Sequence, residues 1–502
     1  MATAIQASST IGVIGAGAMG AGIAQVAALA GHMVLLYDLD SNALEKARNG
    51  IASNIQRLID KNKVDAETGR AAIERVCVVS DLADMRGAAL VVEAVAERLD
   101  VKRGLFAQLE EIVDDACILA TNTSSISITA IAALLRKPSR VVGMHFFNPA
   151  PLMALVEVVR GLATSDDIAQ AVHATAAAWG KKPVYAKSTP GFIVNRVARP
   201  FYAEALRVLN EQGADEASID TVMRDSGGFK MGPFELMDLI GHDVNFAVTK
   251  SVFNAYYNDP RFTPSLIQQE LVDAGFLGRK SGRGFYDYAA DAIKPAARIE
   301  TNTRTPSKIV LGETHPLYAA LQARVKGEGR NDIPDLVACI EDAYLFVTDG
   351  RSATERAHAL GIDNVVLIDL ALDYTKAQSI ALSRARQCSN DAYAAVAGAL
   401  AQAGYTVVPF ADVAGMVVMR TVAMLINEAA DAVNQGVCTR ADLDLAMEKG
   451  VNYPLGPLAW GDRIGIARVH DVLLNLARHY GEDRYRASPL IASLRFAGQQ
   501  FH

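Results

Sequence analysis

Gly15-Ala16-Gly17-Ala18-Met19-Gly20 directly follows the apolar run Ile11 to Ile14 and directly precedes the small-residue stretch Ala21 to Ala30. A Gly-x-Gly-x-x-Gly pattern carries little alone; its place between an apolar strand and a helical run is what makes it a dinucleotide site. After the Gly31-His32 break, a second apolar strand, Val34 to Tyr37, ends in Asp38. Gly15 permits the tight turn, Gly17 lets the backbone approach a pyrophosphate, and Gly20 lets the helix pack closely on the strand. Met19 sits in the same loop and is assigned with these glycines to the cofactor site. The helix N-terminus offers unpaired N–H groups and a positive dipole end to the phosphates. Asp38 falls where the ribose hydroxyls lie. A carboxylate there accepts hydrogen bonds from a free 2′-hydroxyl and repels a 2′-phosphate, so the expected cofactor is NAD rather than NADP. The alternative is a βα turn that holds no ligand.

Working outward, the 502 residues suggest three or four domains at about 100 to 200 residues each. A net charge of −7 argues against nucleic acid or an anionic membrane as the main partner. The segment Met1 to Thr10 has neither a basic region nor a long apolar stretch, so no signal peptide is expected, and no apolar run is long enough to span a bilayer. Cys77, Cys117, Cys339, Cys388 and Cys438 are scattered, with no Cys-x-x-Cys pair and no His at metal spacing. They read as reduced thiols of a cytoplasmic protein without a metal site.

Strand-helix alternation continues from Asp38 through Lys187, with strands at Val76 to Val79, Ala89 to Glu93, Ile118 to Ala120, Arg140 to His145 and Leu155 to Val159. Residues 1–187 are therefore expected to form an α/β, Rossmann-type doubly wound domain. From Thr189 the pattern becomes helical, and residues 188–288 are expected to form an all-α domain closing in the turn-rich run Gly278 to Tyr286. Residues 289–410 read as a linker with a small α/β fragment, built on strands at Val365 to Ile368 and Tyr405 to Val408.

An internal repeat then emerges at a constant offset of 224 residues. Gly191-Phe192-Ile193-Val194-Asn195-Arg196 returns as Gly415-Met416-Val417-Val418-Met419-Arg420, Glu204 as Glu428, Gly232-Pro233 as Gly456-Pro457, and Gly241 as Gly465. The helical domain is thus expected twice, the second copy over residues 411–502. Replacement of Asn195 by Met419 marks that copy as retained in fold and non-catalytic.

The chemistry is expected at the carboxyl ends of the strands, where three polar segments converge. They are Asn122-Thr123-Ser124-Ser125, His145 with Glu157 twelve residues on, and Asn195. An imidazole whose second nitrogen is held by a carboxylate is oriented and made more basic, as removal of a hydroxyl proton during hydride loss requires. Ser124 and Asn195 would hydrogen-bond the oxygen that changes between alcohol and carbonyl. On the residues alone His145 can equally be a satisfied core histidine, and Asn122 to Ser125 a helix N-cap.

His145-Phe146-Phe147-Asn148-Pro149, Asn122-Thr123-Ser124-Ser125, Pro190 to Arg196 and Gly232-Pro233-Phe234-Glu235 together resemble the L-3-hydroxyacyl-CoA dehydrogenase family. The likeness runs from about residue 10 to 288 and through the duplicated copy to about 495. The two-copy arrangement resembles the bacterial enzymes of phenylacetate catabolism, which act on 3-hydroxyadipyl-CoA and related thioesters. What the resemblance implies is NAD-dependent oxidation of the 3-hydroxyl to a 3-ketone. His145 would be the general base, Glu157 its orienting partner, and Ser124 and Asn195 hydrogen-bonding groups. Asn122, Glu97, Lys102 and Lys280 match cofactor-site positions, and Asn54 and Lys61, with Arg57 and Lys63 beside them, match the region that holds coenzyme A. The chain departs from many relatives in having Ala154 where they carry a Lys before Leu155-Val156-Glu157.

Single-copy relatives pair through their helical domains. The second copy is therefore expected to dock on the first, giving a pseudo-dimeric monomer, with a homodimer through another surface as the alternative. Three other readings stay open: a short-chain 3-hydroxybutyryl-CoA dehydrogenase, a Rossmann dehydrogenase of free hydroxy acids, and a non-catalytic NAD-binding structural protein.

Overall fold

The computed structural model describes residues 3–313, 321–322, 327–330 and 333–502. Met1 and Ala2 of the segment read for a leader, and the remaining residues within 289–410, lie outside them. The chain divides into two compact units, residues 1–196 with Gln435–Val451, and Val197–Asn434 with Asn452–His502.

In the first unit, β1 (Ile11–Ile14), β2 (Val34–Tyr37), β3 (Val76–Val79), β4 (Leu90–Glu93), β5 (Ile118–Thr121), β6 (Val141–Phe146), β7 (Leu155–Arg160) and β8 (Lys182–Lys187) form one sheet in the order β3-β2-β1-β4-β5-β6-β7-β8. The central strands are buried throughout, which is why they read as unbroken apolar runs rather than alternating ones. The strand order reverses at β1, which pairs in parallel with β2 on one side and β4 on the other. That topological switch opens a crevice at the carboxyl ends of β1 and β4. The β6–β7 pairing is antiparallel and β7–β8 parallel, so β7 and β8 run against the rest of the sheet.

Helix α1 (Ala18–Leu29) packs its small side chains into the core, and α2 (Ser41–Asp60) presents Leu44, Ala47, Ile51 and Ile55 inward at helical spacing. The Asp40 carboxylate caps α2 by accepting from Asn42 N. Lys61 and Lys63 follow immediately after the last turn of α2. The helix Arg440–Gly450, although it belongs to the second copy of the repeat, packs on β7 and β8.

The second unit corrects the reading of 289–410. Instead of a linker with two strands it holds, among the described residues, a seven-stranded sheet, β9 (Ile309–Gly312), β10 (Glu328–Arg330), β11 (Leu336–Ile340), β12 (Ala343–Val347), β13 (Val365–Ile368), β14 (Ser379–Arg384) and β15 (Thr406–Pro409). Of these, β11 and β12 are joined by the two-residue turn Glu341-Asp342, and neither shows an alternating pattern that would announce it. Residues 289–306 carry no regular element, as expected of a linker, yet Glu300 N donates to Val407 O and Arg304 N to Ala394 O.

The repeat also begins earlier than its motifs indicate. Val141, Leu155 and Lys182 open β6, β7 and β8, and Val365, Ser379 and Thr406 open β13, β14 and β15 at the same offset of 224. Both sets pair antiparallel and then parallel. The helix between the last two strands recurs in register as well, Asp166–Ala178 and Asn390–Gln402. Three of the eight strands of the doubly wound sheet, with the helix between the last two, have therefore been duplicated along with the helical domain.

Within the second unit the helices Arg199–Asn210 and Val418–Asn434, equivalent under the repeat, pack on one another. Buried Glu204 accepts from Arg484 Nε at 3.0 Å, Arg420 Nε at 2.8 Å and Tyr485 Oη at 2.9 Å. Its counterpart Glu428 accepts from Arg261 Nη1 at 3.3 Å. The carboxylate of each copy thus meets a guanidinium of the other, the reciprocal pattern of an isologous interface.

Candidate active site

The cofactor loop is fixed by backbone bonds before any ligand is considered. Gly15 N donates to Tyr37 O at 2.8 Å, and Ala16 N donates to Asp38 Oδ2 at 2.6 Å. Gly15 has φ +103°, and a Cβ there would lie 2.5 Å from Ala94 O; a Cβ on Gly20 would lie 1.8 Å from Gly15 O. Gly17 differs. Its φ is −66°, and a Cβ on it would meet nothing within 4 Å. The open space stands over the first turn of α1, where the amides point outward, and fits a pyrophosphate laid on the backbone. Asp38, half-buried at the end of β2, keeps Oδ1 on Asp40 N. The loop, the helix end and the carboxylate together suit NAD.

Beyond β4, buried Glu93 accepts from Lys102 Nζ at 2.6 Å, Thr121 Oγ1 at 2.6 Å and Val95 N at 2.7 Å. Lys102 is 1% exposed. Its ammonium is committed to Glu93 and, at 3.3 Å, to Glu97, so it acts by holding Glu97 rather than by reaching into the crevice. Glu97 accepts from Thr123 Oγ1 at 2.6 Å, Ser124 N at 3.0 Å and Ser125 N at 3.2 Å. Burial alone would raise the Glu97 carboxyl, but the Thr123 hydroxyl, the Lys102 charge and the Ser124 amide pull it below its ordinary value. Ser124 Oγ stands 3.4 Å from the same carboxylate. Glu93 and Thr121 were not singled out from the sequence; the signal was an acid ending a central buried strand.

His145 and Glu157 are direct cross-strand partners in the β6–β7 register. His145 Nδ1 lies 2.6 Å from Glu157 Oε2. The other oxygen accepts from Ile193 N and Val194 N at 3.0 Å each. Fully buried Glu157 is therefore satisfied at both oxygens. With Nδ1 donating, Nε2 is left as the acceptor. The ring packs beside Phe147 and Phe192, at centroid distances of 4.6 and 5.8 Å. Asn195, half-buried, follows the two amides that hold Glu157. Asn122 joins the strand ends, its Oδ1 accepting from Phe146 N at 2.8 Å.

Asn54 and Lys61 line a cleft of about 1220 Å³ that also includes Lys46, Arg57, Lys63 and Lys181 and reaches Gly17 and Asn148. Cations along one wall and apolar α1 along the other suit a phosphorylated nucleotide with a thin acyl arm. Lys181 was missed from the sequence. It is buried, and its Nζ donates to Ala150 O at 2.6 Å and Met153 O at 2.9 Å, tying down the loop after His145. Burial pushes its ammonium below the ordinary lysine value. Lys280 belongs to the second unit, where it pairs with Asp243 at 2.7 Å.

The second copy lacks this chemistry. Under the 224 offset Asp369 stands at the place of His145, Ala381 at that of Glu157 and Met419 at that of Asn195. Asp369 Oδ2 accepts from Val417 N and Val418 N, the equivalents of the two amides on Glu157. An acid from the neighbouring strand has taken over the turn, with no imidazole left. Burial pushes the Asp369 carboxyl up to about 6, against the pull of those amides.

The comparisons with known proteins agree with this geometry. The family model described as the NAD binding domain of 3-hydroxyacyl-CoA dehydrogenase matches residues 10–189, and that of its C-terminal domain matches 191–288 and again 415–500. The reduced Rossmann-fold domain of 3-hydroxybutyryl-CoA dehydrogenase matches 345–413. The 3-hydroxyadipyl-CoA dehydrogenase of Escherichia coli K12 is 46% identical over 96% of both chains. A probable 3-hydroxybutyryl-CoA dehydrogenase of Deinococcus radiodurans is 42% identical over 55% of this chain and 99% of its own. Among solved structures, one described as 3-hydroxybutyryl-CoA dehydrogenase from E. coli K12 superposes with a TM-score of 0.89 over 98% of each chain, at 46% identity. The chain is a two-copy member of the 3-hydroxyacyl-CoA dehydrogenase family, an NAD-binding oxidoreductase.

Proposed function

We propose that the chain oxidises the 3-hydroxyl of an L-3-hydroxyacyl-CoA to the 3-ketone, with the pair His145–Glu157 as its proton-handling centre. The observation that carries this reading is the imidazole oriented by a fully satisfied carboxylate, at the strand ends beside the dinucleotide loop. His145 Nε2 takes the hydroxyl proton, and Glu157 stabilises the imidazolium that results. A bound NAD would supply the acceptor for the hydride that leaves C3. Ser124 and Asn195 hydrogen-bond the oxygen as it becomes a carbonyl. Gly15, Gly17, Met19, Gly20 and Asp38 would hold the dinucleotide, with Asn122 and Glu97 contributing and Lys102 fixing Glu97. Asn54 and Lys61 hold coenzyme A.

The substrate proposed is 3-hydroxyadipyl-CoA, as in phenylacetate catabolism; it is supported by the name of the full-length E. coli relative. The second reading is 3-hydroxybutyryl-CoA, favoured by the description of the E. coli structure that shares the whole fold. Five free cysteines suit a cytoplasmic protein. Among the described residues no helix is long and apolar enough to cross a membrane. The reciprocal Glu204 and Glu428 joints favour a pseudo-dimeric monomer over a homodimer. Loss of NADH absorbance with acetoacetyl-CoA, free acetoacetate and 3-oxoadipyl-CoA tests the reading: turnover confined to thioesters and abolished in His145→Ala supports it, and turnover of free acetoacetate at the same kcat/KM overturns it.

A further inference from the structure

Helix α1 is apolar throughout except at Gln25, which is 2% exposed. Its carboxamide has no hydrogen-bond partner among the described residues, and it opens on the cleft lined by Asn54 and Lys61 instead of being sealed in the core. A buried carboxamide without partners destabilises the fold, and Met or Leu would suit this helix better.

The walls around Gln25 are set by the protein alone. Ala21, Gly22 and Leu29 share its face of α1 at helical spacing and line the same cleft. A Cβ on Gly22 would lie 3.0 Å from Cδ of Pro151 and 3.1 Å from Cβ of Ala150, so the loop after His145 rests on α1 one turn before Gln25. Lys181 ties the same loop down through Ala150 O and Met153 O. Ala47 and Ile51 of α2 face the cleft from the other side.

We propose that Gln25 binds the pantetheine arm of the acyl-CoA, its carboxamide donating to and accepting from one of the arm's secondary amides. The inference rests on the reading of this cleft as the coenzyme A site.

Polarity decides between the parts of the ligand. Lys46, Arg57, Lys61 and Lys63 are exposed along the cleft and supply charge for phosphates. Gln25 is neutral, offers donors and an acceptor together, and belongs to an otherwise apolar wall. A phosphate would leave its oxygen unpaired, and an acyl chain would pair neither end. A secondary amide, with one N–H and one C=O, satisfies both. The dinucleotide is served elsewhere: Gln25 stands seven residues past Ala18, about 10 Å down α1 from the first turn, whose amides suit a pyrophosphate.

The test measures KM for acetoacetyl-CoA, acetoacetyl-pantetheine and NADH in the full-length parent, Gln25→Met and Gln25→Leu, with free acetoacetate as the control for the cleft. Met keeps the length and unbranched shape of Gln without its polar atoms, so Gln25→Met should unfold at or above the parent's temperature. KM for acetoacetyl-CoA should rise about tenfold, the worth of one or two neutral hydrogen bonds. It should rise equally for acetoacetyl-pantetheine, which carries the arm without the nucleotide, while KM for NADH stays at the parent's value. If Gln25→Met does not fold, Gln25→Leu decides. No rise, a rise for acetoacetyl-CoA alone, or a rise for NADH overturns the inference. With the thioester preferred by the parent, that failure is confined to Gln25; a parent that turns over free acetoacetate at the same kcat/KM overturns the coenzyme A reading with it.

Discussion

His145 and Glu157 stand directly opposite each other across an antiparallel strand pair, Nδ1 to Oε2 2.6 Å, although the strands they occupy are joined by a loop containing Asn148 and Pro149. The separation of twelve residues in sequence is the length of one strand end, a turn and a return. His145→Ala should cost about 10² to 10⁴ in kcat, the usual worth of a general base. Glu157→Gln presents an NH2 where Nδ1 now finds an acceptor, turning the ring toward the tautomer with hydrogen on Nε2. Its kcat should fall with KM for NAD unchanged, and a parent-like kcat in Glu157→Gln would remove the orienting role.

The three loop glycines should separate in mutagenesis. Gly17→Ala has room in the protein alone and the ordinary φ of a right-handed residue, so thermal unfolding should match the parent while KM for NAD rises about tenfold or more through collision with the pyrophosphate. Gly20→Ala forces a Cβ against Gly15 O at 1.8 Å and should lose stability, by about 1 to 3 kcal/mol for an overpacked site. Equal melting temperatures for the two variants would contradict this assignment.

Lys61 and Arg57 line the cleft from α2 and its end. Each is exposed, so a phosphate contact from either is worth about 0.2 to 1 kcal/mol. Lys61→Ala and Arg57→Ala should raise KM for acetoacetyl-CoA about two- to fivefold and leave KM for NADH alone. The effect should shrink at high ionic strength because exposed charges are screened. Steady-state kinetics at two salt concentrations checks both statements.

The Glu204 joint makes stability depend on pH. Burial would raise this carboxyl, but Arg484 and Arg420 hold it at about 2, below its ordinary 4.5. A depressed folded-state value adds stability above 4.5, lost as pH falls from 4.5 toward 2. The loss should be of the order of 3 kcal/mol. Glu204→Gln leaves the buried Arg484 guanidinium with the Pro260 carbonyl and no carboxylate among its hydrogen-bond partners, while Arg420 keeps Glu211, and should cost about 3 to 5 kcal/mol at neutral pH. Chemical denaturation at pH 7 and pH 3 measures both, and a variant as acid-sensitive as the parent would point to other carboxylates.

The residues alone determined what depends on local chemistry. Gly15 to Gly20 between a strand and a helix, with Asp38 ending the next strand, marked the βα turn expected to hold a dinucleotide, and at Gly20 the demand is local, since a Cβ there would meet Gly15 O five residues away. Near-continuous apolar runs marked β1, β4, β5 and β6 because strands buried on both faces carry few polar positions, here Glu93, Thr121 and His145 at or near their ends. The helical repeat was legible from turn glycines and prolines that tolerate no substitute.

Tertiary structure decided what depends on neighbours distant in sequence. That Lys102 spends its charge on Glu93, that Lys181 ties down the loop after His145, and that Asp369 takes the turn amides that Glu157 holds in the first copy all follow from strand order and burial rather than from spacing. Only two strands of the second sheet were legible in the sequence, yet pairing sets β13, β14 and β15 in the register of β6, β7 and β8. Nothing local could show that Gln435–Val451 packs behind Glu157, since an apolar helix face specifies only that it is to be buried, and the geometry of the whole chain selects the surface that buries it.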